Sequence, residues 1–160
     1  KKKVSKNQGM NKIFFASCLL IILSGCVQDS PNIKQIENLQ FFIDNKSDRR
    51  VTEIESGLQY LILKEGSPDG ISPSSDQIIS AHFHGTLTNG EVFWSSLDSE
   101  PLTIELSKLI IGCQKIISLM KEGDKWRAFI DPTMAYGEEG RPGIPSNSIL
   151  IFDIELISVN

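Results

Sequence analysis

Ile149-Leu150-Ile151-Phe152-Asp153-Ile154-Glu155-Leu156-Ile157-Ser158-Val159 stands at the C-terminal end of a chain of 160 residues and alternates with a period of two. Leu150, Phe152, Ile154 and Leu156 fall on one face, Asp153 and Glu155 on the other. Successive side chains of a strand point to opposite sides, so the stretch predicts a strand with one buried and one solvated face. Upstream, Lys125 to Ile130, Leu102-Thr103-Ile104, Val92 to Trp94, Ile78 to Leu87 and Leu58 to Lys64 read as further strands. Gly66 to Asp76, with two prolines and two glycines, is a turn-rich loop. Asn89-Gly90 predicts a type I′ hairpin with both central residues at positive φ. Ile111 to Met120 is the one good helical candidate here; Cys113, Ile116, Ile117 and Met120 share its inner face and Gly123 supplies its stop. Several strands, one helix and no βαβ alternation predict an antiparallel α+β domain, the helix covering one sheet face.

Composition agrees with a single folded unit. The 40% apolar and 22% charged content is that of a globular chain. Net charge is −4, unevenly spread: residues 1–25 carry five lysines and no acid, which leaves residues 26–160 with 11 basic and 20 acidic residues. An acidic body without a basic stripe argues against nucleic acid as a partner. Three cysteines, at 18, 26 and 113, make neither a disulfide framework nor a zinc spacing.

The N-terminal 25 residues read as an address. Ile13 to Leu23 is an apolar run of eleven residues preceded by lysines, too short to span a bilayer, which needs ~20, and suited to a signal-peptide core. Met10 reads as the natural start, with residues 1–9 an upstream extension. The run ends Leu23-Ser24-Gly25-Cys26, which resembles the bacterial lipobox: an aliphatic residue, two small ones, then the cysteine that is lipidated. The resemblance implies acyl chains on Cys26 that hold the chain to a lipid bilayer, and two chains suffice for stable anchoring. Val27 stands where an aspartate would, by the same resemblance, retain a lipoprotein at the inner membrane. The expected location is therefore the periplasmic face of the outer membrane.

Residues 26–55 are expected to form a polar tether and residues 56–160 the folded domain. Within the tether, Ile33, Ile36, Leu39, Gln40 and Ile43 approximate helical spacing, and Phe41 and Phe42 add apolar bulk. Two readings stand side by side: one short amphipathic helix, or a segment packing loosely on the domain or on lipid.

Motifs for covalent chemistry are absent. No GxSxG, HExxH, Walker loop or GxGxxG occurs. His82 and His84 alternate on one strand without a third ligand nearby and read as ordinary strand residues. Cys113, on the apolar helix face, reads as a small buried hydrophobe rather than a nucleophile. What stands out is Asp131-Pro132-Thr133-Met134-Ala135-Tyr136-Gly137, which begins a connection of about seventeen residues punctuated by Gly140, Pro142, Gly143 and Pro145. A connection of that length in a small domain is usually functional.

From Ser56-Gly57-Leu58-Gln59-Tyr60 to the end, the chain resembles the FKBP-type peptidyl-prolyl cis-trans isomerases, especially the bacterial Mip-like lipoproteins. The matching stretches are Gly85-Thr86-Leu87, Asn89-Gly90, Phe93 with Ser95-Ser96, Leu109-Ile110-Ile111-Gly112, Lys125-Trp126-Arg127, Ala135-Tyr136-Gly137 and Leu150 to Leu156. The resemblance implies a half-barrel sheet wrapped around one short helix, with an apolar cleft between them that receives a prolyl ring.

Carried over residue by residue, it places Phe93, Tyr136, Phe152 and the Ile110 backbone N–H at the catalytic centre, the last and the Tyr136 hydroxyl bonding substrate carbonyls. Phe83, Trp94, Leu102, Leu109, Cys113 and Ile144 complete the binding wall. Three positions depart from the family pattern: Cys113 replaces a floor tryptophan, Trp94 an aspartate, and Phe83 a tyrosine. The implied partners are proline-containing polypeptides, with a macrolide as candidate ligand and no metal or cofactor; a monomer is expected. Two functions follow: an envelope isomerase with accessory chaperone behaviour, or a non-catalytic module of the same fold that holds extended chains.

Overall fold

The structure, a computed structural model, describes residues 31–160. The apolar run Ile13 to Leu23 and Cys26 lie outside the described residues. Helix α1 spans Pro31–Asn45 and α2 spans Ile111–Ile117. The strands are β1 (Val51–Glu55), β2 (Leu58–Lys64), β3 (Ile78–Leu87), β4 (Val92–Ser95), β5 (Leu102–Glu105), β6 (Lys125–Ile130) and β7 (Leu150–Val159). They form one antiparallel sheet in the order β1-β2-β6-β7-β3-β4, with β5 also on β3.

Period-two patterning sorts this sheet into two unlike faces. Leu58, Ala81, Phe83, Ala128, Ile130, Leu150, Phe152, Ile154 and Leu156 point inward and meet Cys113, Ile116, Ile117 and Met120 around α2. Helix α2 comes close to β6 because Gly112 has no side chain: a Cβ there would lie 2.3 Å from Ile130 Cγ2. The helix is shorter than the expected Ile111 to Met120. It ends at Ile117, and the Leu119 and Met120 amides bond back to Ile116 and Ile117 in tighter turns.

The outer face is half ionic and half apolar. Arg127 donates to both carboxylate oxygens of Asp153 (2.6 and 2.8 Å), and Lys125 reaches Glu155 at 3.4 Å. The bonded Asp153 raises the Arg127 pKa above its ordinary value. Beside them Leu61, Phe129 and Ile149 are covered by Phe42 of α1, with Phe41 packed alongside.

Residues 31–55, expected as tether, are thus mostly docked structure. Phe42 is the anchor, while Ile33, Ile36, Leu39 and Ile43 lie on the exposed side of α1. Buried Gln59 completes the contact: its Nε2 donates to the Phe42 carbonyl (2.9 Å) and its Oε1 accepts from Asn45 Nδ2 (2.9 Å). Strand β1 extends the sheet by pairing with β2, so the sheet begins upstream of residue 56.

The Asn89-Gly90 hairpin also differs from expectation. Gly90 has φ 84° but Asn89 is not in the left-handed region, so the turn is not type I′. The Gly90 amide bonds the Leu87 carbonyl, and the Leu87 amide the Glu91 carbonyl. This is a three-residue loop with a single left-handed residue at its end.

Candidate functional site

All ten residues that the family resemblance assigns to a site line one cavity of about 560 Å³ on the inner side of the sheet. Phe83 comes from β3, Phe93 and Trp94 from β4, Leu102 from β5, and Phe152 from β7. Leu109 and Ile110 lie just before α2, Cys113 on α2, and Tyr136 and Ile144 on the connection 131–149. Lys108, Arg141 and Pro142 line it as well.

Edge-to-face rings make the wall. Phe93 and Phe152 centroids are 5.4 Å apart at 90°, and Phe83 meets Phe152 at 6.3 Å and 82°. Such T-shaped pairs set the positive ring edge against a negative face. They can close over β3 because position 85 is glycine: a Cβ there would stand 2.5 Å from Phe93 and 2.8 Å from Phe152. Trp94 lies against Phe83 (5.9 Å, 53°) and is 41% exposed. Its indole therefore extends the wall and leaves the cavity open. Cys113 is 2% exposed, and burial pushes its thiol pKa up to about 12. A nucleophilic thiolate needs the opposite shift.

The connection 131–149 is held by its own hydrogen bonds. Asp131 caps a 3₁₀ turn at Pro132–Met134 by accepting from the Thr133 amide (2.9 Å). The Gly137 amide bonds the Pro132 carbonyl (2.8 Å), the Asn147 amide the Gly137 carbonyl (2.8 Å), and Arg141 and Ile144 bond each other reciprocally (2.9 and 2.7 Å). Asn147 holds φ 55°, and its carbonyl accepts from Asn38 Nδ2 of α1 at 3.0 Å. Tyr136 is thereby fixed at the rim, its Oη accepting from Arg141 Nη1 at 2.7 Å. With that lone pair occupied, the phenolic proton is left to donate elsewhere. Across the cavity, no acceptor among the described residues takes the Ile110 N–H.

Among the described residues, no carboxylate and no imidazole lines the cavity. His82 Nδ1 lies against the Ser96 carbonyl (3.1 Å) and His84 Nδ1 against Ser95 Oγ (3.1 Å), away from it. Among the described residues no group of three His, Cys, Asp or Glu is placed to hold a metal. The arrangement can accept an apolar ring and offer two hydrogen-bond donors. Among the described residues it holds no general base or activated nucleophile.

Comparison with known proteins bears on the same region. The family model described as FKBP-type peptidyl-prolyl cis-trans isomerase matches residues 70–157, more than half of the chain. A protein named FKBP-type peptidyl-prolyl cis-trans isomerase FkpA, from Aeromonas hydrophila, is 39% identical over 121 residues, 75% of this chain and 44% of that protein. The peptidyl-prolyl cis-trans isomerase Mip of Coxiella burnetii is 40% identical over 121 residues, 74% of this chain and 52% of the relative. The chain thus spans about half the length of these curated relatives. Among solved structures, a peptidyl-prolyl cis-trans isomerase from Pseudomonas syringae superposes with TM-score 0.76 at 29% identity, covering 82% of this chain and 98% of that one. FkpA from Escherichia coli gives TM-score 0.74 at 31% identity, over 79% of this chain and 59% of that one.

Proposed function

Because this chain belongs to the FKBP-type peptidyl-prolyl cis-trans isomerases, we propose that its inner cleft catalyses rotation about X–Pro bonds in polypeptide clients. The supporting observation is the convergence of Phe83, Phe93, Phe152, Tyr136 and the Ile110 N–H on one cavity where, among the described residues, that N–H is free and no acid, base or nucleophile stands.

That inventory suits the reaction. Imide rotation makes and breaks no covalent bond; its ~18–20 kcal/mol barrier comes from the double-bond character of C–N. An X–Pro bond has a small cis/trans gap of ~0.5–1 kcal/mol but exchanges slowly. Resonance places negative charge on the carbonyl oxygen, and water favours that planar form. A ring-walled slot that excludes water and holds the twisted imide binds the transition state more strongly than the ground state. The prolyl ring packs on Phe93 and Phe152, while the Ile110 N–H and the Tyr136 hydroxyl fix the flanking carbonyls.

A second reading rests on Cys113 and Trp94. The small floor and the broad exposed indole enlarge the apolar surface, which also suits a module that holds extended chains without turning them over. A protease-free isomerisation assay on X–Pro tetrapeptides decides between them. The isomerase reading predicts a rate well above the uncatalysed one in the parent protein. No rate in the parent, with recovery in Cys113→Trp or Trp94→Asp, supports the holding module.

The membrane location belongs to the same proposal. Cys26 carries the acyl chains and places the domain on the periplasmic face of the outer membrane, where unfolded envelope proteins are the clients and a chaperone role accompanies isomerisation. Among the described residues no helix is long and apolar enough to cross a membrane. Mass spectrometry of the N-terminal peptide from membranes should show an acylated Cys26. An unmodified Cys26 in a chain retaining residues 10–25 contradicts the anchor. Macrolides are candidate ligands of the cleft, and competition with the tetrapeptide tests them.

A further inference from the structure

The cleft inverts the charge of the molecule that carries it. Residues 26–160 hold 20 acidic and 11 basic residues, yet both ionised side chains lining the cleft are cations, Lys108 and Arg141. They approach from two elements: Lys108 from the 3₁₀ turn at Leu106–Lys108 that precedes α2, Arg141 from the connection 131–149. Among the described residues neither is in an ion pair, although six other ion pairs are formed. Glu138, two residues beyond Tyr136, faces the groove on the other side of the loop.

Arg141 is also held in place. Its guanidinium carbon lies 4.7 Å from the Tyr136 ring centroid, and one N–H is bonded to Tyr136 Oη. A guanidinium has five N–H donors in a fixed fork, so the others are free for a planar carboxylate. Stacking on the ring and the hydrogen bond already restrict a long side chain, which lowers the entropy lost when an anion binds it. Beside a low-dielectric wall, such a charge acts more strongly than it would in open water.

We propose that the cleft selects proline-containing segments with a carboxylate side chain, Asp or Glu, within two residues of the proline. This rests on the reading of the cleft as the client site, and it names the class of client. Arg141 and Lys108 attract such a segment and repel one with Lys or Arg at the same place, so discrimination comes from both an attractive and a repulsive element.

The test compares tetrapeptides differing only in the residue before proline, Glu, Gln or Lys, and a second set differing after it, at low and high salt. Exposed charge pairs are modest, so kcat/KM for the Glu peptide should exceed that for Gln about threefold and that for Lys about tenfold in at least one set. Both ratios should shrink toward one in 0.5 M salt, where screening reaches within a few ångströms. Arg141→Gln and Lys108→Gln should each cut the Glu-to-Lys ratio about threefold, and Lys108→Glu with Arg141→Glu should reverse it. Equal turnover of Glu and Gln peptides in both sets at low salt overturns the proposal and leaves the isomerase standing. If no peptide is isomerised, catalysis fails separately, and the same peptides titrated into the protein decide charge selection from their dissociation constants. Absence of binding by every peptide overturns both.

Discussion

Helices α1 and α2 pack on opposite faces of the same sheet and do so in unlike ways. Helix α2 has seven residues and buries four of them, with Gly112 in direct contact with Ile130 and Cys113 beneath the cleft. Helix α1 has fifteen residues but docks through a narrow edge of Asn38, Phe41, Phe42 and Asn45, with three polar contacts to Gln59 and Asn147. Each face has its own cavity. The inner one is walled by several aromatic rings and has Lys108 and Arg141 as its charges, whereas the outer one, about 480 Å³, sets Leu39, Phe42 and Ile43 of α1 beside Lys46, Glu53 and Asp131. The connection 131–149 is the wall between them: it gives Tyr136, Arg141 and Ile144 to one side and Gly137, Glu138 and Asn147 to the other. A dry slot is needed only where an imide is twisted. On the proposed isomerase reading, the outer face can therefore carry salt bridges and a helix docked through one narrow edge without loss to the chemistry.

The contrast predicts a graded response to substitution. Phe152→Ala strikes the inner core and the cleft together; it should destabilise the fold by ~3–5 kcal/mol, the cost of truncating a buried aromatic, and abolish isomerisation. Phe42→Ala removes the outer anchor, and thermal or urea unfolding should show a loss of about 3 kcal/mol. Isomerisation by the fraction still folded should fall far less than in Phe152→Ala; an equal fall would mean the two faces are not separable.

Asn38→Ala probes the wall itself. Loss of its bond to the Asn147 carbonyl should cost about 1 kcal/mol, with faster amide exchange at Gly137, Gly140 and Ile144 than at α2. Unchanged exchange there would show that α1 does not brace the loop.

Cys113 gives the smallest effect. Burial favours the neutral thiol in the folded state, raising its pKa from 9.0 to about 12. Its contribution to stability is therefore fully present below about pH 9 and declines as pH rises from there toward 12. Peptide mapping after iodoacetamide treatment at pH 8 should find Cys113 unlabelled until the protein is unfolded.

Much of the inner face could be read in the chain because burial leaves a periodic trace. The alternation of β7 and the spacing of Cys113, Ile116, Ile117 and Met120 carry it; these residues meet in one core, and from them only Phe152 and Cys113 reach the cavity, where Tyr136 of the long connection joins them. The outer face leaves no such trace. The aliphatic spacing of Ile33, Ile36, Leu39 and Ile43 suggests a core-facing side, yet those residues are exposed and Phe42 does the docking. Buried Gln59 and Asn38 are polar and nonperiodic, so their roles depend on partners distant in sequence. Strand β1 is an edge strand with four of five residues exposed, which erases the period-two signal. Rim charges are similarly silent: Lys108 gives no sign of facing a cleft, and Arg141 is an unassigned loop charge until Tyr136 is seen beneath it.

The most direct test is exchange spectroscopy on an X–Pro tetrapeptide mixed with isotope-labelled protein. Cross-peaks between the cis and trans peptide resonances should grow in with the protein present, while the amide shifts that move are those of Ile110, Cys113, Tyr136, Ile144 and Phe152. Exchange no faster than in buffer, or shifts confined to α1 and the outer groove, would contradict a catalytic inner cleft.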